Sequence, residues 1–292
     1  MIIRKEFFYG KNNLFKVGGG VLKLSLVANC YFLLFFLAIA VWKFDSLKQK
    51  ILTFYKNQKL KSQTSERVLK TFNNDIYDDF LDGEFIVNQE ANTVEFLFLG
   101  NSLTYCGVPD EEPDKTRRGL TSTKIENDYV HKLVSMYANK HEVNVKYSCV
   151  NIAGFERGFK NSAFSKDKLK NIHVKNPDIV VFQIGENVSY EDISSYGELF
   201  FTRYCELVEC FKNSKRIVCI PFWPIKEKIN IITDVAFSTD SRICDLSHLG
   251  SGIDSENFAS SYKKYRQPGV GVHPGDIGMH RIAKNILCVL SE

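Results

Sequence analysis

The sequence predicts an α/β fold: a three-layer α/β/α sandwich with a mainly parallel sheet, preceded by one N-terminal transmembrane helix. Two observations predict the sandwich. Short apolar runs rich in β-formers alternate with helical patterns from residue 93 onward. The run at 178–184, DIVVFQI, is continuously apolar, as a parallel strand covered on both faces should be. A third observation, the uncharged run at 24–42, predicts the membrane helix.

Residues 24–42, LSLVANCYFLLFFLAIAVW, are long enough at about 1.5 Å per residue to cross a bilayer core of about 30 Å. Lys23 and Lys43 flank the run, and Trp42 lies at its edge, where interfacial aromatic residues are common. The alternatives are a signal peptide and a buried helix. No small-residue cleavage site follows the run, which favours an uncleaved anchor. Lysines are balanced on its two sides, so they do not set its orientation.

This organisation divides the chain into four parts. They are a short basic tail (1–23), the anchor (24–42), a stalk or connector (43–91) and one globular domain (92–292). Within that domain the patterns predict strands at 93–99, 143–150, 178–184, 216–222 and 241–246. They predict helices at 125–140, 190–212, 226–237 and 275–290. Asp276 is a candidate N-cap of the last helix.

Composition narrows the function classes. The 292 residues carry a net charge of +4, and the positive charge is spread along the chain. That distribution favours a solvated mixed-charge surface over a nucleic-acid footprint, so we expect no nucleic-acid partner. None of the eight cysteines stands in a CxxC or Cys/His spacing, so we expect no metal or other cofactor. Mostly free thiols lean towards a reducing compartment.

Polar residues follow several predicted strands, and in parallel sheets ligands bind beyond the carboxyl ends of the strands. Ser102 follows the first strand, and Asn187 follows the strand that ends in QIGEN. The segment 151–157, NIAGFER, offers backbone N–H groups, and His273 lies in a Pro/Gly-rich turn before the last helix. A hydroxyl, a base and oxyanion donors are the parts that acyl transfer needs.

The ordered blocks GNSLT, NIAGFERG, GEN and GVHPGDIGM resemble the four blocks of the SGNH (GDSL-type) hydrolase superfamily. They are more particularly similar to bacterial members of that superfamily, as is the intervening NDYVH. The resemblance spans about residues 94–290. It implies an SGNH-hydrolase-like catalytic domain acting on a small acyl ester, such as an O-acetyl group on a carbohydrate or surface glycan.

The resemblance implies a role for each matched residue. Ser102 would be the nucleophile and His273 the general base. Asn187 would be an oxyanion donor, together with the N–H of Ser102 itself. For the second block, alignment on its Asn points to the N–H of Glu156, and alignment on its Gly points to Gly154.

One departure from the family concerns the catalytic acid. The family usually has Asp three residues before the histidine, where this chain has Val270. We therefore expect a Ser–His dyad, with one nitrogen of His273 towards Ser102 and the other towards a backbone oxygen. Asp276 is expected to cap the helix rather than to act as the acid.

Two further residues lie near the predicted site. Glu186 is expected either to line the pocket or to be solvated, and Trp223 either to form a substrate platform or to pack. Three functions stay open: an esterase, an O-acyltransferase with the same site, and a catalytically weak glycan-binding or assembly protein. The first would be a single-pass protein of a bacterial inner membrane. An extracytoplasmic domain would suit a glycan substrate.

Overall fold

The computed structural model describes residues 14–17, 20–23, 80–252 and 255–292. Two short strands, β1 (Leu14–Val17) and β2 (Gly20–Lys23), pair antiparallel in a sheet of their own. The other described strands are β3 (Phe80–Phe85), β4 (Thr93–Gly100), β5 (Asn144–Asn151), β6 (Ile179–Gln183), β7 (Lys215–Ile220) and β8 (Arg242–Asp245). The described α-helices are α1 (Tyr129–His141), α2 (Ala153–Gly158), α3 (Tyr190–Glu209), α4 (Lys226–Ser238), α5 (Pro268–Gly271) and α6 (Asp276–Ser291).

Within the described chain, β3 to β8 form one sheet in the order β3-β5-β4-β6-β7-β8. All neighbours pair parallel except β3, which runs antiparallel to β5 at one edge. The predicted α/β fold with a mainly parallel sheet is therefore confirmed. The neighbours of β4 are β5 on one side and β6 on the other. The loops after β4, β5 and β6 therefore lie next to one another at the carboxyl ends of the strands.

Side chains of the central strand β4 alternate between two cores, because successive residues of a strand face opposite sides of the sheet. Phe96 and Phe98 lie in the apolar cluster that includes residues of α1 and α6. Leu97 and Leu99 lie in the cluster that includes residues of α3 and α4. Helices thus cover both faces, and the apolar run of β4 is buried on both sides, as its composition predicts.

The edge strand β3 comes from the stretch 43–91 that the sequence predicts to be a stalk or connector. Its antiparallel pairing with β5 makes it part of the sheet, so the boundary at residue 92 is placed too late. The sequence FLDGEF hides the strand because it carries Asp82 and Gly83, which are rare in strands. Both residues serve the neighbouring strand: Asp82 accepts a hydrogen bond from Ser148, and a Cβ at Gly83 would lie 2.3 Å from the Tyr147 ring.

The predicted membrane helix at 24–42 lies outside the described residues. Within the described part, no helix combines the length and the apolar character that crossing a bilayer requires.

Replacing a buried aromatic side chain of β4 should destabilise the protein more than replacing an exposed one. We expect Phe98→Ala to lower the free energy of unfolding by about 3–5 kcal/mol, because Phe98 is fully buried and its removal leaves a cavity. The matched control Phe237→Ala, at a side chain that is 72% exposed, should cost less than about 1 kcal/mol. Urea denaturation followed by circular dichroism measures both. Equal midpoints for the two variants would contradict the assigned core.

Candidate active site

The site is assembled by strand register. Gly100, the last residue of β4, pairs with Asn151 at the end of β5 and with Gln183 at the end of β6. The segments that follow these three strands, which carry Ser102, α2 and Asn187, therefore begin side by side. The backbone N–H of Ile152 donates to the carbonyl of Gly100 at 2.6 Å and joins the first two segments directly.

A tight turn presents Ser102. The carbonyl of Asn101 accepts hydrogen bonds from the N–H groups of Thr104 and Tyr105, both at 3.0 Å. The side-chain oxygen of Asn101 accepts from the N–H of Leu103 at 3.1 Å. At Gly100 a Cβ would lie 1.8 Å from the hydroxyl of Thr104, so the close passage of the turn over this position requires glycine. The turn leaves Ser102 half-buried at the rim of the sheet.

His273 reaches Ser102 from the loop between α5 and α6. Its Nε2 lies 3.2 Å from the Ser102 hydroxyl, and its Nδ1 lies 2.9 Å from the carbonyl oxygen of Gly269 in α5. The predicted pair of contacts, one to the serine and one to a backbone oxygen, is present. A carbonyl only accepts hydrogen bonds, so a neutral imidazole carries its proton on Nδ1 and turns the lone pair of Nε2 towards Ser102.

Trp223 forms a wall against the imidazole. Its ring meets that of His273 edge to face, with centroids 4.9 Å apart and planes at 80°. Its indole N–H donates to the carbonyl of Val272 at 3.3 Å. These contacts show that Trp223 packs against His273, which is one of the two roles that the sequence left open. The ring is half-buried and also borders the site. Burial lowers the pKa of His273, against a smaller rise from its hydrogen bonding to the backbone at Gly269 and Val270.

Asn187 and Glu156 are brought together by hydrogen bonds. The amide nitrogen of Asn187 donates to Oε2 of Glu156 at 2.8 Å, and the Asn187 backbone N–H donates to Oε1 at 3.2 Å. The amide oxygen of Asn187 accepts from Arg157 at 2.9 Å. Glu156 thus places a buried carboxylate beside Asn187. The sequence alignment concerns only the backbone N–H of Glu156 and does not predict this carboxylate.

Gly154 lies in the first turn of α2, where backbone N–H groups lack an acceptor in a preceding turn. On either side of it, the N–H of Ala153 donates to the Asn151 side chain and that of Phe155 to the Ile152 carbonyl. The first-turn position of Gly154 is compatible with a role as an oxyanion donor.

The Glu186 carboxylate accepts hydrogen bonds within the site instead of facing solvent. Its carboxylate accepts from the amide of Asn101 at 2.8 Å, from the amide of Gln183 at 2.6 Å and from the N–H of Phe222 at 3.0 Å. Asn101 also donates to Glu156 at 3.3 Å and so joins the two carboxylates. Burial, followed by repulsion from Glu186, raises the pKa of Glu156 to about 7.

A buried lysine completes this network. Lys228 in α4 donates to the carbonyl oxygens of Gly185 and Glu186, at 2.8 and 3.3 Å. Burial lowers its pKa, while the charges of Glu186 and Glu156 act to raise it. Lys228 and Arg157 are residues that sequence reasoning missed. Arg157 stands inside the NIAGFER block and could have been found there, whereas nothing in the spacing of α4 marks Lys228.

Asp276 has a different place from the predicted one. The N-cap of α6 is Gly275, and Asp276 is the first residue of the helix. Its carboxylate accepts from the backbone N–H and the hydroxyl of Thr123, at 2.8 and 2.6 Å, and from the amide of Asn127 at 2.9 Å. The expected capping role is therefore wrong: Asp276 ties the loop after Ser102 to the helix that follows His273.

Among the described residues, no group of three or more His, Cys, Asp or Glu side chains could hold a metal ion.

Solved structures similar to this chain include esterases and a lipase. An acetyl xylan esterase is 17% identical, with 68% of this chain and 100% of that chain covered and a TM-score of 0.43. A lipase/acylhydrolase from Enterococcus faecalis is 16% identical, covering 67% and 94%, with a TM-score of 0.45. A two-domain esterase active on acetylated mannans is 14% identical, covering 69% and 49%, with a TM-score of 0.43. The sequence matches no family model and no curated protein.

The pKa of the His273 imidazole should lie below its ordinary value. Because burial disfavours the charged form, we expect its titration midpoint below the ordinary value of 6.5. NMR of protein labelled at the histidine rings measures the midpoint, and the spectrum of His273→Gln identifies the signal. A midpoint at or above 6.5 would contradict the buried environment assigned to the ring.

Proposed function

We propose that this chain is a serine esterase of the SGNH type that hydrolyses a small acyl ester through an acyl-enzyme on Ser102. One observation carries the proposal: the Ser102 hydroxyl lies 3.2 Å from Nε2 of His273, whose Nδ1 is held by the Gly269 carbonyl. This is the geometry of a nucleophile beside an oriented base. The preferred substrate, an O-acetyl ester of a carbohydrate or surface glycan, rests on the resemblance of the sequence blocks.

In the first half-reaction the Ser102 oxygen forms a bond to the ester carbonyl carbon, and its proton passes to Nε2 of His273. The carbonyl oxygen becomes an oxyanion. The alcohol then leaves with the proton from Nε2 and an acyl-Ser102 ester remains. In the second half-reaction His273 takes a proton from water, whose oxygen forms a bond to the acyl carbon. The bond between that carbon and the Ser102 oxygen then breaks, Nε2 of His273 returns the proton to the Ser102 oxygen, and the free acid leaves.

Three donors are proposed to stabilise the oxyanion: the backbone N–H groups of Ser102 and Gly154, and the side-chain amide of Asn187. They come from the segments that follow β4, β5 and β6, which the sheet register sets side by side. The Gly269 carbonyl replaces the usual carboxylate as acceptor for the second imidazole nitrogen. A Ser–His dyad with a main-chain acceptor is therefore the proposed machinery.

We further propose that residues 24–42 anchor the protein in a bacterial inner membrane as a single-pass helix, with the catalytic domain on the extracytoplasmic side. The length and apolar character of the segment support the anchor, and the expected glycan substrate supports the side. A reporter active only outside the cytoplasm, fused to the C-terminus, tests the orientation. Activity of a cytoplasmic reporter at the same position would reverse it.

Loss of the nucleophile should abolish turnover. We expect Ser102→Ala to lower the kcat for p-nitrophenyl acetate by at least about a thousandfold, since no acyl-enzyme can form. The matched control Ser162→Ala, at an exposed loop serine, should retain wild-type kcat. Labelling by a serine-reactive phosphonate should disappear only in Ser102→Ala. Equal turnover by wild type and Ser102→Ala would refute the esterase.

A sugar acceptor distinguishes the remaining functions in the same assay. Ser102-dependent release of acetate without acceptor supports the hydrolase. Turnover that appears only when an acceptor is present identifies an O-acyltransferase that uses the same dyad. The absence of both turnover and phosphonate labelling identifies a binding or assembly protein, and then the esterase proposal fails.

A further inference from the structure

The Glu156 carboxylate is fully buried at the carboxyl edge of the sheet and is surrounded by hydrogen-bond donors. Its Oε1 accepts from the Gly185 N–H at 2.6 Å, from the Asn187 N–H at 3.2 Å and from the Asn101 amide at 3.3 Å. Its Oε2 accepts from the Asn187 amide at 2.8 Å. One carboxylate therefore joins the turn that holds Ser102 to the loop that holds Asn187.

Two consecutive residues of α2 clamp the Asn187 side chain. The Glu156 carboxylate faces its amide nitrogen, and the Arg157 guanidinium faces its amide oxygen at 2.9 Å. Rotating the amide by half a turn would set oxygen against carboxylate and N–H against guanidinium, so only one orientation is compatible with both partners. An amide nitrogen carries two hydrogens, and Glu156 engages one, which leaves the other for a substrate oxygen.

Resting on the esterase proposed above, we infer that Glu156 is a positioning residue for the oxyanion site. Its carboxylate fixes the Asn187 amide in the donating orientation and links it, through Asn101, to the turn that presents Ser102. Glu156 acts through these two side chains and touches no reacting atom in the proposed mechanism. This role belongs to the carboxylate and is separate from any use of the Glu156 backbone.

The positioning requires an ionised carboxylate. The partners described for both carboxylate oxygens are donors, so a proton on either oxygen would compete with one of these hydrogen bonds and weaken the hold on the Asn187 amide. The charged and titratable groups that face Glu156 are Glu186, joined through Asn101, Lys228 behind Gly185 and Arg157 beside Asn187. The buried Tyr204 phenol lies close enough to interact with both carboxylates. Burial and Glu186 raise the pKa of Glu156, so its protonation falls near neutral pH.

The kinetic test compares Glu156→Gln with wild type on p-nitrophenyl acetate, with active sites counted by phosphonate labelling of Ser102. Gln keeps the shape but sets an NH₂ group against the Asn187 amide. We expect kcat per labelled site to fall by about ten- to a hundredfold, with KM changed less than about twofold. Glu156→Asp, which retains the charge, should recover part of the loss. The control Glu227→Gln, at an exposed position of α4, should match wild type.

The pH profile separates positioning from mere stability. A raised pKa means that Glu156 gains its proton as the pH falls through about 7, so the activity of wild type should decline there. His273 titrates lower, below 6.5. We expect kcat/KM of Glu156→Gln to lose the upper transition and keep the lower one. An unchanged kcat per labelled site, a loss confined to KM, or an unchanged acid limb would overturn the role.

A measurement without turnover distinguishes failure of this inference from failure of the esterase. In full-length protein labelled with ¹⁵N at asparagine, the side-chain amide signal of Asn187, identified by its loss in Asn187→Ala, should shift as the pH passes through about 7. Glu156→Gln should abolish that shift. An Asn187 signal that ignores both the pH and the Gln substitution overturns the positioning role, whether or not the protein hydrolyses esters.

Discussion

The hydrogen bond from Nδ1 of His273 to the Gly269 carbonyl is the interaction on which the candidate site depends. A neutral imidazole has one N–H and one lone pair, and a carbonyl oxygen can only accept. The bond therefore decides which nitrogen faces Ser102 and makes that nitrogen a base. Gly269 belongs to the short helix α5, and the N–H of His273 donates to the Val270 carbonyl at 3.0 Å. The backbone of a few consecutive residues thus orients the ring, without a distant carboxylate.

A carbonyl acceptor has an electrostatic consequence. When His273 takes a proton it becomes an imidazolium, and a neutral dipole stabilises that charge less than an ionised Asp would. Burial against Trp223 acts in the same direction by disfavouring the charged ring. Both effects favour the neutral ring and so lower the pKa of His273, which makes the imidazole a weaker base. In the proposed dyad the base is therefore oriented by geometry more than activated by charge.

Local sequence patterns predict the strands that are buried on both faces. They fail for elements whose residues are explained only by a contact with a segment far along the chain. The strands β4 and β6 are visible because a central parallel strand must be apolar throughout. The edge strand β3 is hidden because Asp82 and Gly83 make sense only beside Ser148 and Tyr147 of β5.

The candidate site divides in the same way. Ser102, Asn187 and His273 stand in ordered blocks, and the structure places Ser102 and His273 in contact. The carboxylate of Glu156 and the ammonium group of Lys228 acquire their partners only when α2 and α4 fold onto the loop after β6. No spacing rule connects these segments, since the contacts depend on strand order and not on separation along the chain. Polar residues that support a site through other residues, as these two do, therefore cannot be predicted from local sequence patterns.

Two carboxylates close to a proposed oxyanion site raise a question of charge, because negative groups there would oppose the charge that develops on the substrate. The surrounding contacts answer it. Glu156 and Glu186 direct their oxygens at amides and backbone N–H groups, so each negative charge is spread over several donors. Lys228 and Arg157 place two positive charges around the same loop. Formally two negative and two positive side chains balance, and the Asn187 amide donates to the Glu156 carboxylate. In the proposed site Glu156 would therefore act on the oxyanion through the dipole of the Asn187 amide that it orients, and not through its own charge.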